Sequence, residues 1–296
     1  MKKKKLVCSV LLVCAAMIWG SAFVAQRYGL DYASPVFFNG SRSLLGAMVL
    51  LPVALIFRPK GAVNWRSTLL SGFLCGLALF IATNLQQAGL AYTEVGKAGF
   101  ITTFYIILVP VLSLFLRRKP SGLTWMAVAV ALCGLWFLCM TPGELRFQKG
   151  DLMELGCALF YALQIMVIDR YVRSSYGIMM SCIQFAVCGI LSLIAAFLFS
   201  EPDFHSLLQG WIPLLYTGVL SCGVAYTFQI LGQRDLHPTV ASLLMSLESV
   251  FAVLAGWLIL RQSLSGRELI GCALMLCAVI LVQLAPEKKD GKPSPV

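Results

Sequence analysis

TVASLLMSLESVFAVLAGWLIL, residues 239–260, carries one formal charge, Glu248, in a run otherwise built of apolar and small hydroxyl residues. At a helical rise of about 1.5 Å per residue it is long enough to cross a hydrocarbon core about 30 Å thick. PVFFNGSRSLLGAMVLLPVALIF, residues 35–57, does the same around Arg42. Charges are kept inside such spans mainly where they handle ions or polar solutes, or brace one another.

Further runs of this kind fall at 6–26, 67–89, 97–116, 122–140, 151–168, 178–199, 210–231 and 267–285, which makes ten spans with short polar breaks. At 59% hydrophobic and 12% charged, the chain lacks the polar surface that a water-soluble domain of 296 residues needs. Backbone groups in hydrocarbon must pair internally, and runs of this length suit helices rather than barrel strands of about 10 alternating residues. The expected fold class is therefore all-α integral membrane.

Lys and Arg set the orientation. With a cytoplasmic amino terminus, sixteen of the 23 fall on the inner side and six on the outer, with Arg42 inside the membrane. The positive-inside rule then places both termini in the cytoplasm of a plasma-membrane protein. The same excess accounts for the net charge of +10, because it sits in short loops facing lipid headgroups and not on a basic face with interleaved aromatics. Nucleic acid is not an expected partner. Four lysines before an apolar run also begin a secretory signal, but the run continues past Met17 and the small residues Ser21 and Ala22 are flanked by Trp19 and Phe23. Cys14 is a poor match to a lipoprotein cleavage site, so the first segment is expected to remain as a helix.

All 11 cysteines fall inside expected helices, without the paired spacings of disulfides or zinc sites, and His205 and His237 fall in loops. Neither a metal nor a cofactor is expected. No G-x-x-x-x-G-K-S/T loop is present for ATP, so any driving force must come from a gradient. Asp151 and Glu154 have no histidine partners and read as favourable charges at a helix amino terminus.

Laying the second half on the first at an offset of 142 pairs Ala16 with Ala158, Trp19 with Tyr161, Gly76 with Gly218 and Gln87 with Gln229. An offset of 144 in the last helix pairs Ser121 with Ser265 and Cys133 with Cys277. The organisation expected is a first five-helix repeat over 1–142, a linker over 143–150, a second repeat over 151–285 and a disordered cytoplasmic tail over 286–296. Five is odd, so the copies enter the membrane from opposite sides. Such inverted repeats enclose a central cavity near the midplane and alternate its exposure.

Trp19-Gly20-Ser21-Ala22-Phe23 in the first span, Arg42 in the second, Tyr92-Thr93 ahead of the fourth and Leu247-Glu248-Ser249-Val250 in the ninth resemble the drug/metabolite transporter superfamily, in its EamA-type branch. The resemblance covers nearly the whole chain and implies transport, often efflux, of small metabolites such as amino acids or drug-like solutes, with import, export and facilitated diffusion all left open by the residues themselves. One departure is Ser249, where the family commonly has proline; it removes the usual reason for a kink there.

Arg42 lies about 10 Å below the outer edge and Glu248 about 14 Å above the inner one, so their depths allow an ion pair, direct or bridged by water or solute, if their helices face each other. Glu248 is the candidate for coupling to protons. Asn84 and Gln87 are three apart on one helical face, and the repeat places Tyr226 and Gln229 at matching positions. Trp19, Thr103 and Gln164 complete the expected substrate-binding set, the rings stacking on an apolar part of the solute while amides and hydroxyls bond its polar end. Gly72 and Gly76 read as helix-packing contacts, and Pro52 and Pro110 as bends.

The reading is a secondary transporter working by alternating access, as a monomer or homodimer. The alternatives are a lipid-modifying membrane enzyme, which would need catalytic groups clustered at one interface, a channel, or a non-transporting structural membrane protein. A channel should repeat its charges around one path, yet the repeat mate of Glu248 is Ile106.

Overall fold

The computed structural model describes residues 2–93, 95–115, 120–140, 148–260 and 265–284. Regular structure among them is entirely helical. The linker expected over 143–150 lies largely, and the tail expected over 286–296 wholly, outside the described residues.

The helices are α1 (Lys2–Gly29), α2 (Pro35–Ile56), α3 (Trp65–Gly89), α4 in two pieces (Val95–Thr102 and Tyr105–Phe115), α5 (Gly122–Cys139), α6 (Lys149–Tyr171) and α7 (Gly177–Phe199). A short helix, Phe204–Gln209, then leads into α8 (Trp211–Gln233), whose middle, Tyr216–Ala225, is π-helical. The ninth, α9, is again in two pieces (Pro238–Met245 and Glu248–Leu260), and α10 is Gly266–Leu284. Among the described residues nine helices are long and apolar enough to cross a membrane, and Gly122–Leu138 is a shorter apolar one.

Local chemistry sets the helix starts. Pro35 and Pro238 occupy first-turn positions, where a missing N–H costs nothing. Asn64 and Ser121 cap α3 and α5, each accepting a hydrogen bond from the backbone N–H three residues on. His237, expected in a loop, caps α9 by accepting from the Thr239 N–H at 3.3 Å, and His205 lies in the short helix before α8.

Both interrupted helices break at hydroxyl residues. Thr103 Oγ1 donates to the Gly99 carbonyl at 2.6 Å and Ser246 Oγ to the Leu243 carbonyl at 2.8 Å, so side chains compete for backbone acceptors and the next turns tighten to three-residue hydrogen bonds. The break in α9 therefore forms without a proline at Ser249.

Glycines let the helices approach closely. Gly72 and Gly76 of α3 face Ile183 and Val187 of α7, in keeping with their reading as packing contacts. Gly20 of α1 lies so near α9 that a Cβ there would come within 2.5 Å of the Glu248 carbonyl oxygen and 2.7 Å of the Ala252 nitrogen. Backbone cannot yield as a side chain does, so Gly20→Ala is expected to cost about 1–3 kcal/mol through overpacking. An unchanged thermal-unfolding midpoint in detergent would contradict this packing.

Burial orders the bundle. In α9, 72% of the window Pro238–Ala255 is buried, against 22% for α10, which packs with α5 at the periphery. Phe57, Phe115, Phe199 and Leu284 are exposed on the outside, where a soluble protein would carry polar groups.

Candidate functional site

α1, α2, α3, α4, α6, α7, α8 and α9 surround a cavity enclosing about 610 Å³, including the part open to solvent. Its rim and walls are mostly aromatic and amide. Trp19 meets Tyr226 edge to face at 4.7 Å between ring centroids, and Phe185 meets the same tyrosine at 5.0 Å. Tyr161 donates to Gln86 Oε1 at 3.1 Å and accepts a 3.4 Å contact from the Tyr226 hydroxyl.

Two opposite charges line this space. Arg42 is 3% exposed, and its Nε donates to Asn39 Oδ1 at 3.0 Å; Asn39 in turn donates to Thr83 Oγ1 at 2.9 Å. That anchorage fixes the stem and one edge of the guanidinium. Glu248, 6% exposed, opens the second piece of α9 and accepts from the Tyr105 hydroxyl at 3.0 Å through Oε1. Tyr105 itself opens the second piece of α4, and a 3.2 Å contact between the Thr103 and Ser249 hydroxyls ties the two breaks together. Among the described residues no ion pair joins Arg42 to Glu248, so the direct pair considered from their depths does not form.

Of the residues expected to bind solute, Trp19, Arg42, Gln164, Tyr226, Gln229 and Glu248 lie on this one cavity. Gln164 and Gln229 exchange amide bonds there, with Gln229 Nε2 donating to Gln164 Oε1 at 3.0 Å. Asn84, Gln87 and Thr103 do not line it. Asn84 donates to Ser192 Oγ at 2.8 Å and braces α3 to α7; Gln87 donates to the Gln26 carbonyl at 3.1 Å and braces α3 to α1; Thr103 sits in the α4 break.

The reason for the first two misplacements lies in α8. A π-helical stretch uses more residues per turn than an α-helix, so the face presented after it shifts along the sequence relative to a regular helix. The residues of α3 that share the cavity with Tyr226 and Gln229 are accordingly Thr83 and Gln86, each one position before the pair that the repeat offset picked. Gln26, Asn39, Ser43, Thr102, Tyr105 and Tyr161 also escaped the sequence reading. Single polar residues near the ends or breaks of apolar runs give no periodic signal.

The buried formal charges among the described residues are Arg42, Asp151, Glu154 and Glu248. Asp151 closes a capping box with Gln148 at the start of α6, as its reading as a helix-end charge implies. Glu154 departs from that reading: it is fully buried and bonded to Thr102. No group of three or more His, Cys, Asp or Glu able to hold a metal occurs among the described residues.

Comparison with known proteins adds the family. The sequence pattern described as the EamA-like transporter family matches residues 6–140 and again residues 148–284. An Archaeoglobus fulgidus protein described as an uncharacterized transporter is 33% identical over 95% of this chain and 87% of its own. An Escherichia coli K12 protein described as the uncharacterized inner membrane transporter YedA is 25% identical over 94% of this chain and 90% of its own. A solved crystal structure superposes with a TM-score of 0.78 over 94% of this chain and 96% of its own at 17% identity, which speaks for the fold alone.

Proposed function

The chain belongs to the EamA-like transporter family, a membrane transporter of the drug/metabolite superfamily, and from that premise we propose that it is a secondary transporter, an exporter, of small zwitterionic metabolites such as amino acids. The observation that carries the solute class is the pair of opposite charges, Arg42 and Glu248, that line one cavity without an ion pair between them. Arg42 presents guanidinium N–H groups to a carboxylate, Glu248 accepts from an ammonium group, and Trp19, Tyr161, Phe185 and Tyr226 cover an apolar side group. A solute carrying only one charge would leave the other of these two buried side chains without a charged partner, which is costly.

Alternating access is supported by how the helices pair. Halves 1–142 and 151–285, read as inverted copies, make α1 equivalent to α6, α2 to α7 and so on. Contacts then come in matched sets: α2 with α7 and α5 with α10 are each their own equivalent, while α3 with α6 matches α8 with α1, and α4 with α6 matches α9 with α1. The family pattern matching twice points the same way. Broken helices in equivalent positions, α4 and α9, meet beside the cavity, an arrangement that supplies both half-helix ends and pivots for rocking one half against the other.

Counterflow in proteoliposomes tests the reading. Vesicles preloaded with unlabelled phenylalanine are expected to take up labelled phenylalanine transiently and saturably. Exchange of a lone cation such as tetraphenylphosphonium, with no exchange of any zwitterionic amino acid, would contradict the assigned solute class.

A further inference from the structure

Glu154 stands behind the cavity wall and touches it through one hydroxyl. α6 begins at Lys149, and in its first turn Asp151 accepts from the Gln148 backbone N–H at 2.8 Å and from Thr93 Oγ1 at 2.6 Å. One turn deeper, Glu154 is 0% exposed. Its Oε2 accepts from Thr102 Oγ1 at 2.6 Å, while its Oε1 is buried without a hydrogen-bond partner. That oxygen packs against α3 at Gly89, where a Cβ would come within 2.5 Å of it.

A charge serving only the helix amino terminus would do so in the first turn, as Asp151 does. Taking a carboxyl wholly out of water with one oxygen unmatched is expensive for a structural role alone, because a hydrophobic residue of similar volume would fill the place at less cost. Thr102, the residue that Glu154 holds, lines the cavity together with Tyr105 and Glu248. Glu154 is bonded to Thr102, and Glu248 is bonded to Tyr105, three residues further along α4. The two carboxyls thus flank one hydroxyl-bearing turn of α4.

We propose that Glu154 is a second proton-binding site, linked by the Thr102 hydroxyl to the cavity and through cavity water to Glu248. In the transfer, the Thr102 hydroxyl, which donates to Glu154 Oε2 in the structure, turns its own proton to a water in the cavity and gives it up as Thr102 Oγ1 accepts the proton of the Glu154 carboxyl. Thr102 is regenerated, Glu154 is left as a carboxylate, and no bond to carbon changes. The titratable and charged groups that bear on the exchange are Asp151 and Cys157 on the same helix, Tyr105 from α4 and Glu248 from α9, with Arg42 on α2 at the same cavity, while Gly89 of α3 packs against the free oxygen. The relay rests on reading the cavity as a hydrated solute path; the protonation of Glu154 does not.

Acid-induced infrared difference spectroscopy of the protein in lipid nanodiscs, with no solute added, tests the assignment. Two buried carboxylic C=O bands are expected. Glu154→Gln should remove one, Glu248→Gln the other, and Thr102→Val should keep the Glu154 band but shift it as its hydrogen bond is lost. Should Glu154→Gln fail to fold, Gly89→Ala displaces the same carboxyl without removing it and should shift the same band. A Glu154→Gln spectrum identical to wild type, or an unmoved band in Thr102→Val and Gly89→Ala, overturns the proposal. Both bands present without phenylalanine counterflow would overturn the transport reading alone; counterflow with the Glu154 band missing would overturn this one alone.

Discussion

Arg42→Met is expected to raise the apparent KM for phenylalanine counterflow steeply while leaving the protein folded, and Arg42→Lys to restore only part of the affinity. Methionine keeps most of the apolar stem and so avoids a void, but removes every donor that a carboxylate could use. A hydrogen bond to a charged group is worth about 1.5–3 kcal/mol, so loss of the guanidinium should weaken solute binding by roughly ten- to a hundredfold. Lysine returns the charge without the planar fork that holds a carboxylate by two parallel bonds. It also reaches Asn39 poorly, and Asn39 Oδ1 is what aims the guanidinium from behind, with Thr83 and Ser192 holding the asparagine in turn. The apparent KM for counterflow, measured beside an unfolding curve, separates loss of binding from loss of fold. Wild-type KM in Arg42→Met would remove the residue from the solute path.

Glu248→Gln is expected to eliminate accumulation driven by a pH gradient and to retain equal-concentration exchange only at raised solute concentration, because the ammonium group keeps an acceptor there but loses the opposite charge. Glutamine keeps the size and can still accept from the Tyr105 hydroxyl, so the join between the α4 and α9 breaks survives. What it cannot do is bind and release a proton as the cavity changes sides, and without that the gradient has nothing to act on. Exchange needs only that the loaded protein reorient, which the neutral side chain permits. Flux and pH dependence both unchanged in proteoliposomes would refute the coupling role.

The sequence reveals the fold far better than the site, for a physical reason. Hydrocarbon demands about 20 apolar residues per span whatever their neighbours, so even the α4 and α9 spans were legible although each is interrupted. Which face of a span meets the cavity depends on helix rotation, and rotation depends on features that composition does not record. The π-helical middle of α8 moves the matching face of α3 from Asn84 and Gln87 to Thr83 and Gln86. The α9 break arises from the Ser246 hydroxyl rather than from a proline, so the missing proline at Ser249 misled about the kink. Arg42 and Glu248 were visible because a lone charge in an apolar run needs no alignment to be noticed. Glu154 was hidden by proximity to a helix start, where an acid has an ordinary explanation; its depth, one turn beyond Asp151, was the available signal.

Cys222 offers the most direct test of alternating exposure, since this native thiol lines the cavity and is 3% exposed. With the other cysteines replaced by alanine or serine, a membrane-impermeant methanethiosulfonate is added to either side of sealed vesicles. The account predicts that Cys222 reacts from both sides in turn and that phenylalanine slows the reaction from each. Labelling from one side only, or from neither, would contradict a cavity that opens alternately to the two faces of the membrane.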